Sequence, residues 1–346
     1  MAEEAKSSFL ASRLAKAVLG AVVALFVFGV IVFIANYRFP VFFDPPKAPN
    51  DVSGWTFATT VIDIGDQMFD NWLPNDLLWP TALMDNRPNF QLGELEMLKY
   101  TVFRLKENLS RLRSSDAMDP DCSEAFTLLS NDPLKWLIPS AESRFKMAME
   151  SLKRYRANLE EGKARFSPRA DNLSELLAYY VSLLGSLNSE LAKAPGELRL
   201  KRPDQPAPVA PASPASPASP PAPGPDPPTA PAEAPPPAAP AKVEFETARV
   251  PYSMVDDNFY QAQGAAYVLR GMMVAIKVDF REILEVKKAA EIVDDIVLTL
   301  DQSQFEPLIV LNGDIGSITA NHSMELHSIL ENARQKINNL VEMLSQ

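Results

Sequence analysis

Cysteine and histidine are almost missing from this chain. Its 346 residues include one cysteine, Cys122, and two histidines, His322 and His327. A single cysteine excludes an intrachain disulfide. In an oxidising compartment such a thiol is either buried and inert or free to bridge two chains, and burial is expected here. So little Cys and His also argues against a zinc site of the usual type. Positive charge is in deficit as well: 33 Lys and Arg against 44 Asp and Glu give a net charge of −11. That leaves no basic footprint for nucleic acid. There is no Gly-rich phosphate loop, no G-x-S-x-G and no C-x-x-C.

One long apolar run is present. Ala17 to Ala35 holds nineteen residues without a charge, an amide or a proline. As a helix it covers roughly 28 Å, close to the hydrocarbon thickness of a bilayer. Thirteen of the residues are Val, Leu, Ile or Phe, and together they favour insertion by on the order of 5 kcal/mol. A soluble helix would carry a polar stripe, which this run lacks. A cleaved signal peptide needs small residues before its cleavage site, and Phe33 and Asn36 spoil most registers. The expectation is an uncleaved transmembrane helix over 17–37. Lys6, Arg13 and Lys16 precede it, with Arg38 and Lys47 after it, a bias that favours a cytoplasmic tail over 1–16. Tyr37, Phe39, Phe42 and Phe43 crowd the exit, where aromatic rings suit the headgroup zone. Gly20 and Ala24 form a small-xxx-small pair, common by chance in an Ala-rich span.

The rest of the chain reads as helices packed on helices. Residues 38–53 read as a short extended stalk. A helical apolar pattern follows over Trp55 to Phe69, and the Pro- and Trp-rich stretch Asn71 to Phe90 reads as irregular but packed. Leu95, Leu98, Val102, Leu105, Leu109 and Leu112 then form a narrow seam at spacings of three and four. Asp119-Pro120, Ser140 and Ser167-Pro168 read as helix starts. Leu173, Leu176, Tyr180, Leu183, Leu187 and Leu191 form a second seam. A third runs through Val255, Phe259, Ala262, Ala266, Leu269, Met273, Ile276, Phe280 and Ile283 in one helix. A helix over about Ala289 to Leu300 places Ile292, Ile296 and Leu300 on one stripe. Asn312-Gly313 marks a tight turn or small hairpin. The last helix aligns Leu326, Leu330, Ala333, Ile337, Leu340 and Leu344. A bundle of nearly antiparallel neighbours satisfies all these seams together.

Residues 203–240 are different material: seventeen of the 38 positions are proline. Nothing there can build a core. Such a stretch serves as a spacer, as a ligand for a proline-recognising partner, or as a tolerated surface insertion. The expected layout is all-α. A single N-terminal transmembrane helix leads to a periplasmic helical bundle in two parts, 38–202 and 243–346. A long disordered Pro/Ala-rich insertion over 203–242 separates them.

Several segments together resemble an uncharacterised family of bacterial inner-membrane proteins. They are NWLPNDLLWPTALMDNRPNFQLGELE, LIPSAESRF, RADNL, DDNFYQAQGAAYVLRG and LNGDIGSITANHS. The resemblance implies a bacterial inner-membrane location and supplies no activity. Relatives have shorter connections at the Pro-rich run, which tilts that run toward an insertion within one domain.

No residue is assigned a catalytic, cofactor-binding or metal role. Asn321-His322-Ser323 is polar, but adjacent helical residues point about 100° apart, and capping by Asn and Ser explains it more simply. His322 and His327 are five apart, so they cannot share a metal as histidines at i,i+4 do. Asp116, Asp119, Asp121 and Glu124 lack the glycine and ligand spacing of a calcium loop. Glu142, Arg144, Asp171, Asn172, Asp256 and Asp257 sit at helix starts. Carboxylate pairs can do glycosidic acid/base work, but only at a fixed separation across a cleft. The reading is a non-enzymatic membrane-anchored envelope protein with a binding or scaffolding role. Its partners are the lipid bilayer and either another envelope protein or its own copy. The alternative is a cell-wall hydrolase that uses facing carboxylates.

Overall fold

The computed structural model describes residues 15–31, 39–46, 48, 52–75, 85–113, 115–194, 197–200, 245–248, 251–307, 310–312 and 320–346. The regular elements of the described chain are helices apart from one short ribbon and one isolated bridge, in keeping with the all-α expectation. Helix α1 covers 15–31, and its Val, Leu, Ile and Phe side chains are exposed. Among the described residues no helix is long and apolar enough to cross a membrane. The described part of the apolar run ends at Ile31, and Val32 to Ala35 lie outside it.

Helix α2 (Trp55–Phe69) has the expected bounds. Helix α3 (Asn86–Arg104) begins earlier than the sequence suggested. Pro88 lies in its first turn, where the missing N–H costs nothing, so this proline does not break the helix. Asn71 to Asn75 are non-helical as expected, and 76–84 lie outside the described residues. A π-helical turn, Leu105–Leu109, extends α3. The first seam is buried from Leu95 to Leu109, while Leu112 is exposed.

Helix α4 (Pro120–Leu129) starts as expected, with the Asp119 carboxylate accepting from Cys122 N. Helix α5 (Ala141–Glu160) is capped by Ser140. Helix α6 (Ala170–Ala192) departs from expectation: its cap position is Arg169, not Ser167. Ser167 is buried, and its N–H donates to Leu109 O at 2.7 Å, so its backbone serves tertiary packing.

Strands β1 (Glu197–Leu200) and β2 (Phe245–Ala248) pair antiparallel, Glu197 with Ala248 and Leu200 with Phe245. They bracket the Pro-rich insertion, whose residues lie outside the described ones. This ribbon is an exception to the all-α reading.

Helix α7 (Tyr252–Asp279) is the longest, with 28 residues. The third seam is buried from Val255 to Phe280, where the helix breaks; in the short α8 (Arg281–Val286) Leu284 is buried and the expected Ile283 only half-buried. In α9 (Ala290–Asp301) Val293, not Ile292, completes the buried stripe with Ile296 and Leu300. Helix α10 (His322–Ser345) buries all six expected seam residues. A single bridge pairs Asn312 with Asn321, while Gly313 of the expected turn lies outside the described residues.

Buried side chains from both sides of the insertion, Phe57 through Leu344, form one hydrophobic cluster. α3 and α7 lie at its centre. α2, α5 and α4 pack to one side, and α6, α10 and α9 to the other.

The stalk expectation needs correction. Phe39, Phe42 and Phe43 are packed against the core and do not stand free at a headgroup zone. Phe39 stacks on Tyr260 with ring centroids 5.3 Å apart, and Phe42 stacks on Tyr267 at 5.5 Å. Arg270 Nη1 donates to Phe43 O at 3.0 Å and to Asp44 Oδ1 at 2.8 Å. Residues 39–46 thus form a strap along α7. Ring stacking and charge-assisted hydrogen bonds offset the entropy of holding it there.

Candidate functional site at the α3–α7 crossing

α3 and α7 run in the same direction and touch backbone to backbone. A Cβ placed on Gly93 would overlap the Gln261 carbonyl oxygen, and one on Gly264 would overlap the Phe90 carbonyl oxygen. Only glycine permits that approach. Asn89 Nδ2 donates to Asp257 Oδ1 at 2.5 Å, and Gln261 Nε2 donates to Glu96 Oε2 at 3.2 Å. Gln91 is fully buried: its Oε1 accepts from Leu73 N at 2.9 Å, and its amide donates to Met68 O and Asn71 O.

Two titratable clusters sit at this crossing. The inner one is Arg87 and Glu94, 8 % and 2 % exposed. Arg87 Nη1 lies 3.8 Å from Glu94 Oε2, and neither atom has a hydrogen-bond partner among the described residues. Arg87 also lies over the Phe90 ring, 5.1 Å from its centroid. Burial pushes the Glu94 carboxyl up to about 7, against the opposing pull of Arg87.

The outer cluster is Asp85, Asp256 and Asp257, all half-buried. Desolvation raises all three above the usual carboxylate range. Asp257 reaches about 6 because it also faces Asp85 and Asp256 and is hydrogen-bonded to Asp85. Two carboxylates in contact share a proton more readily than they both ionise. The arrangement can hold a proton near neutral pH and give it up to a base.

The other sequence candidates do not assemble. Asn321 caps α10 by accepting from Met324 N at 3.0 Å. His322 Nδ1 accepts from Leu311 N at 2.9 Å, while His327 Nδ1 meets Asn188 O at 3.1 Å. Ser323 is buried and is not a cap. Asp119 serves as a cap, Asp121 and Glu124 pair with Arg154, and Asp116 accepts from Arg113 N. Asp171 pairs with Arg169, and Asn172 donates to Ser167 O at 3.0 Å. Glu142 is a first-turn acid of α5, and Arg144 donates its backbone N–H to Ser140 O. Among the described residues no group of three His, Cys, Asp or Glu has metal-holding geometry. Cys122 is fully buried, and burial pushes its thiol up.

Sequence reasoning flagged Asp256 and Asp257 but missed Asp85, Arg87 and Glu94. Arg87 and Glu94 are seven apart on α3, on the stripe shared with Gln91 and Leu98. Charges on a buried stripe were the signal available.

Segments quoted for the resemblance cover both helices of the crossing, and a family model covers the same ground. A model described as an uncharacterized protein conserved in bacteria (DUF2333) matches residues 43–219 and 229–346. The chain belongs to this family. The match starts inside the strap and leaves α1 outside. The family description names no activity, and no curated protein and no solved structure matches the chain.

Proposed function

We propose that this family member is a non-enzymatic envelope protein, anchored in the bacterial inner membrane by its N-terminal helix, with a periplasmic bundle that binds or scaffolds. The observation that carries this reading is α1, whose apolar side chains face outward, Leu25 at 70 % and Phe26 at 72 % exposed. Exposed apolar surface on that scale is stable only against lipid or another protein. The bundle offers partners apolar ground as well. An open groove of about 290 Å³ is lined by Lys99, Tyr100, Phe103, Phe126, Ser130 and Tyr179. The partner is another envelope protein or a second copy. A reporter that fluoresces only in the cytoplasm, fused to Gln346, should give dark cells, and carbonate washing should leave the chain in the membrane fraction. Bright cells would invert the topology, and release by carbonate would end the anchored reading.

A second reading rests on Asp85 and Asp257, facing acids from different helices with raised affinity for protons. A cell-wall hydrolase needs its two carboxyls held apart across a cleft, so this hydrogen-bonded pair would serve one only by separating around the substrate. Turnover of purified cell wall by the full chain, lost in Asp257→Asn, would favour this reading over the first.

A further inference from the structure

The loop between α4 and α5 turns its apolar side chains outward. Leu134 is 56 % exposed, Trp136 53 %, Leu137 58 % and Ile138 96 %. The loop backbone, in contrast, is fixed. Pro133 O accepts from Trp72 Nε1 at 3.1 Å, and Lys135 O accepts from Asn75 Nδ2 at 3.1 Å and from Ala141 N at 2.8 Å. Four large exposed apolar groups within five residues of a pinned loop form a patch that calls for a partner.

The position of the loop identifies that partner. Trp72 and Asn75 belong to the segment that follows α2, and that segment meets α3 at Gln91, which accepts from Leu73 N and donates to Asn71 O. Next to Gln91, Phe90 lies 5.1 Å from Phe39, the first residue of the strap. The loop therefore sits at the end of the bundle where the chain arrives from α1. Only seven residues, 32–38, separate Phe39 from the described end of α1, a reach of at most about 28 Å.

We propose that the 133–139 loop is a second membrane contact, seated in the interfacial zone of the bilayer that holds α1. Trp136 occupies the headgroup level, where indoles partition, and Leu137 and Ile138 reach the acyl boundary. Lys135 is exposed beside them and extends its ammonium to the phosphates. With Asp132 adjacent and a net charge of −11, apolar insertion drives the contact, so it forms on zwitterionic lipid. This proposal rests on the anchored reading.

The test uses the full chain reconstituted into phosphatidylcholine vesicles, with an environment-sensitive dye at Ile138→Cys. Cys122 is fully buried and does not compete for label. The reference is the same dye at Val286→Cys, which is 80 % exposed at the far end of α7 and α8. Nitroxide lipid spin-labelled near the top of the acyl chain should quench position 138 at least about threefold more than position 286. Equal quenching at the two positions, or none at 138 in chains that float with the vesicles, overturns the loop contact and leaves the anchor standing. Chains that do not float overturn both. Both sites are exposed and tolerate substitution, and an unchanged melting temperature confirms that the labelled chains are folded.

Discussion

The α3–α7 crossing predicts a large penalty for a single methyl group. In Gly93→Ala the new Cβ meets the Gln261 carbonyl and lies 3.0 Å from Ala265 N. In Gly264→Ala it meets the Phe90 carbonyl and lies 3.0 Å from Glu94 N. The obstacle is backbone in both cases, so no side chain can swing aside. The central helices must part by roughly 1 Å, which forfeits a quarter to a half of the dispersion across their contact. Overpacking usually costs about 1–3 kcal/mol, and these sites belong at the top of that range, near 3 kcal/mol. For a bundle of this size that lowers the melting temperature by roughly 6–12 °C. The double variant should cost clearly less than the sum, because helices already parted by one methyl admit the other. Gly185→Ala is the internal control. It lies mid-helix in α6 with its nearest neighbour, Arg334 Cδ, at 4.0 Å, so removing glycine's excess freedom should stabilise by about 0.5–1 kcal/mol. Thermal and denaturant unfolding of the full chain, followed by circular dichroism, reads all four variants. A loss below about 1 kcal/mol in both crossing variants, or strict additivity in the double, would refute the backbone contact.

Glu94 and the insertion give two further tests. The folded chain holds the Glu94 proton up to about pH 7, whereas the unfolded chain releases it near 4.5. Stability therefore falls as pH rises through that window, by on the order of 3 kcal/mol from this group alone. Glu94→Gln should lose that slope, and parallel pH profiles for the two proteins would rule it out. Deleting 205–238 shortens the connection between β1 and β2 from 44 residues to 10. Loop-closure entropy then favours the variant by about 1 kcal/mol, so its melting temperature should hold or rise slightly. A large fall would make the insertion structural.

Local signals marked helix positions well where the deciding interaction lies within a few residues. Asp119-Pro120 and Ser140 start helices because their caps reach only three residues ahead. The same kind of signal failed at Ser167-Pro168, where a long-range bond from Ser167 N to Leu109 O takes precedence. The expected third seam ran on to Ile283, but after the break at Phe280 the residue that α8 buries is Leu284, one position on, and periodicity alone could not show that change of phase. The crossing was not legible at all. Gly93 and Gly264 lie 171 positions apart, and no local pattern distinguishes a glycine that admits another helix from one that merely loosens its own. The acid cluster was half legible. Asp256 and Asp257 stood out as helix-start acids, but Asp85, which together with burial raises the proton affinity of Asp257, comes from the start of another helix.

The aromatic residues after the apolar run show how tertiary packing reassigns a sequence signal. Their composition alone fits a headgroup belt. Along α7, however, Tyr260 to Arg270 spans ten residues, about 15 Å of helix. Phe39 to Asp44 spans five, roughly 17 Å of extended chain. The two lengths match, so stacking at Tyr260, stacking at Tyr267 and hydrogen bonding at Arg270 are satisfied in one register. Rings held on the bundle in this way cannot also serve as a lipid belt. Freeing them would expose Tyr260 and Tyr267 and leave the half-buried Arg270 without Asp44. Among the described residues, Leu134, Trp136, Leu137 and Ile138 are exposed apolar groups at this end of the molecule, on a backbone held by Trp72 and Asn75.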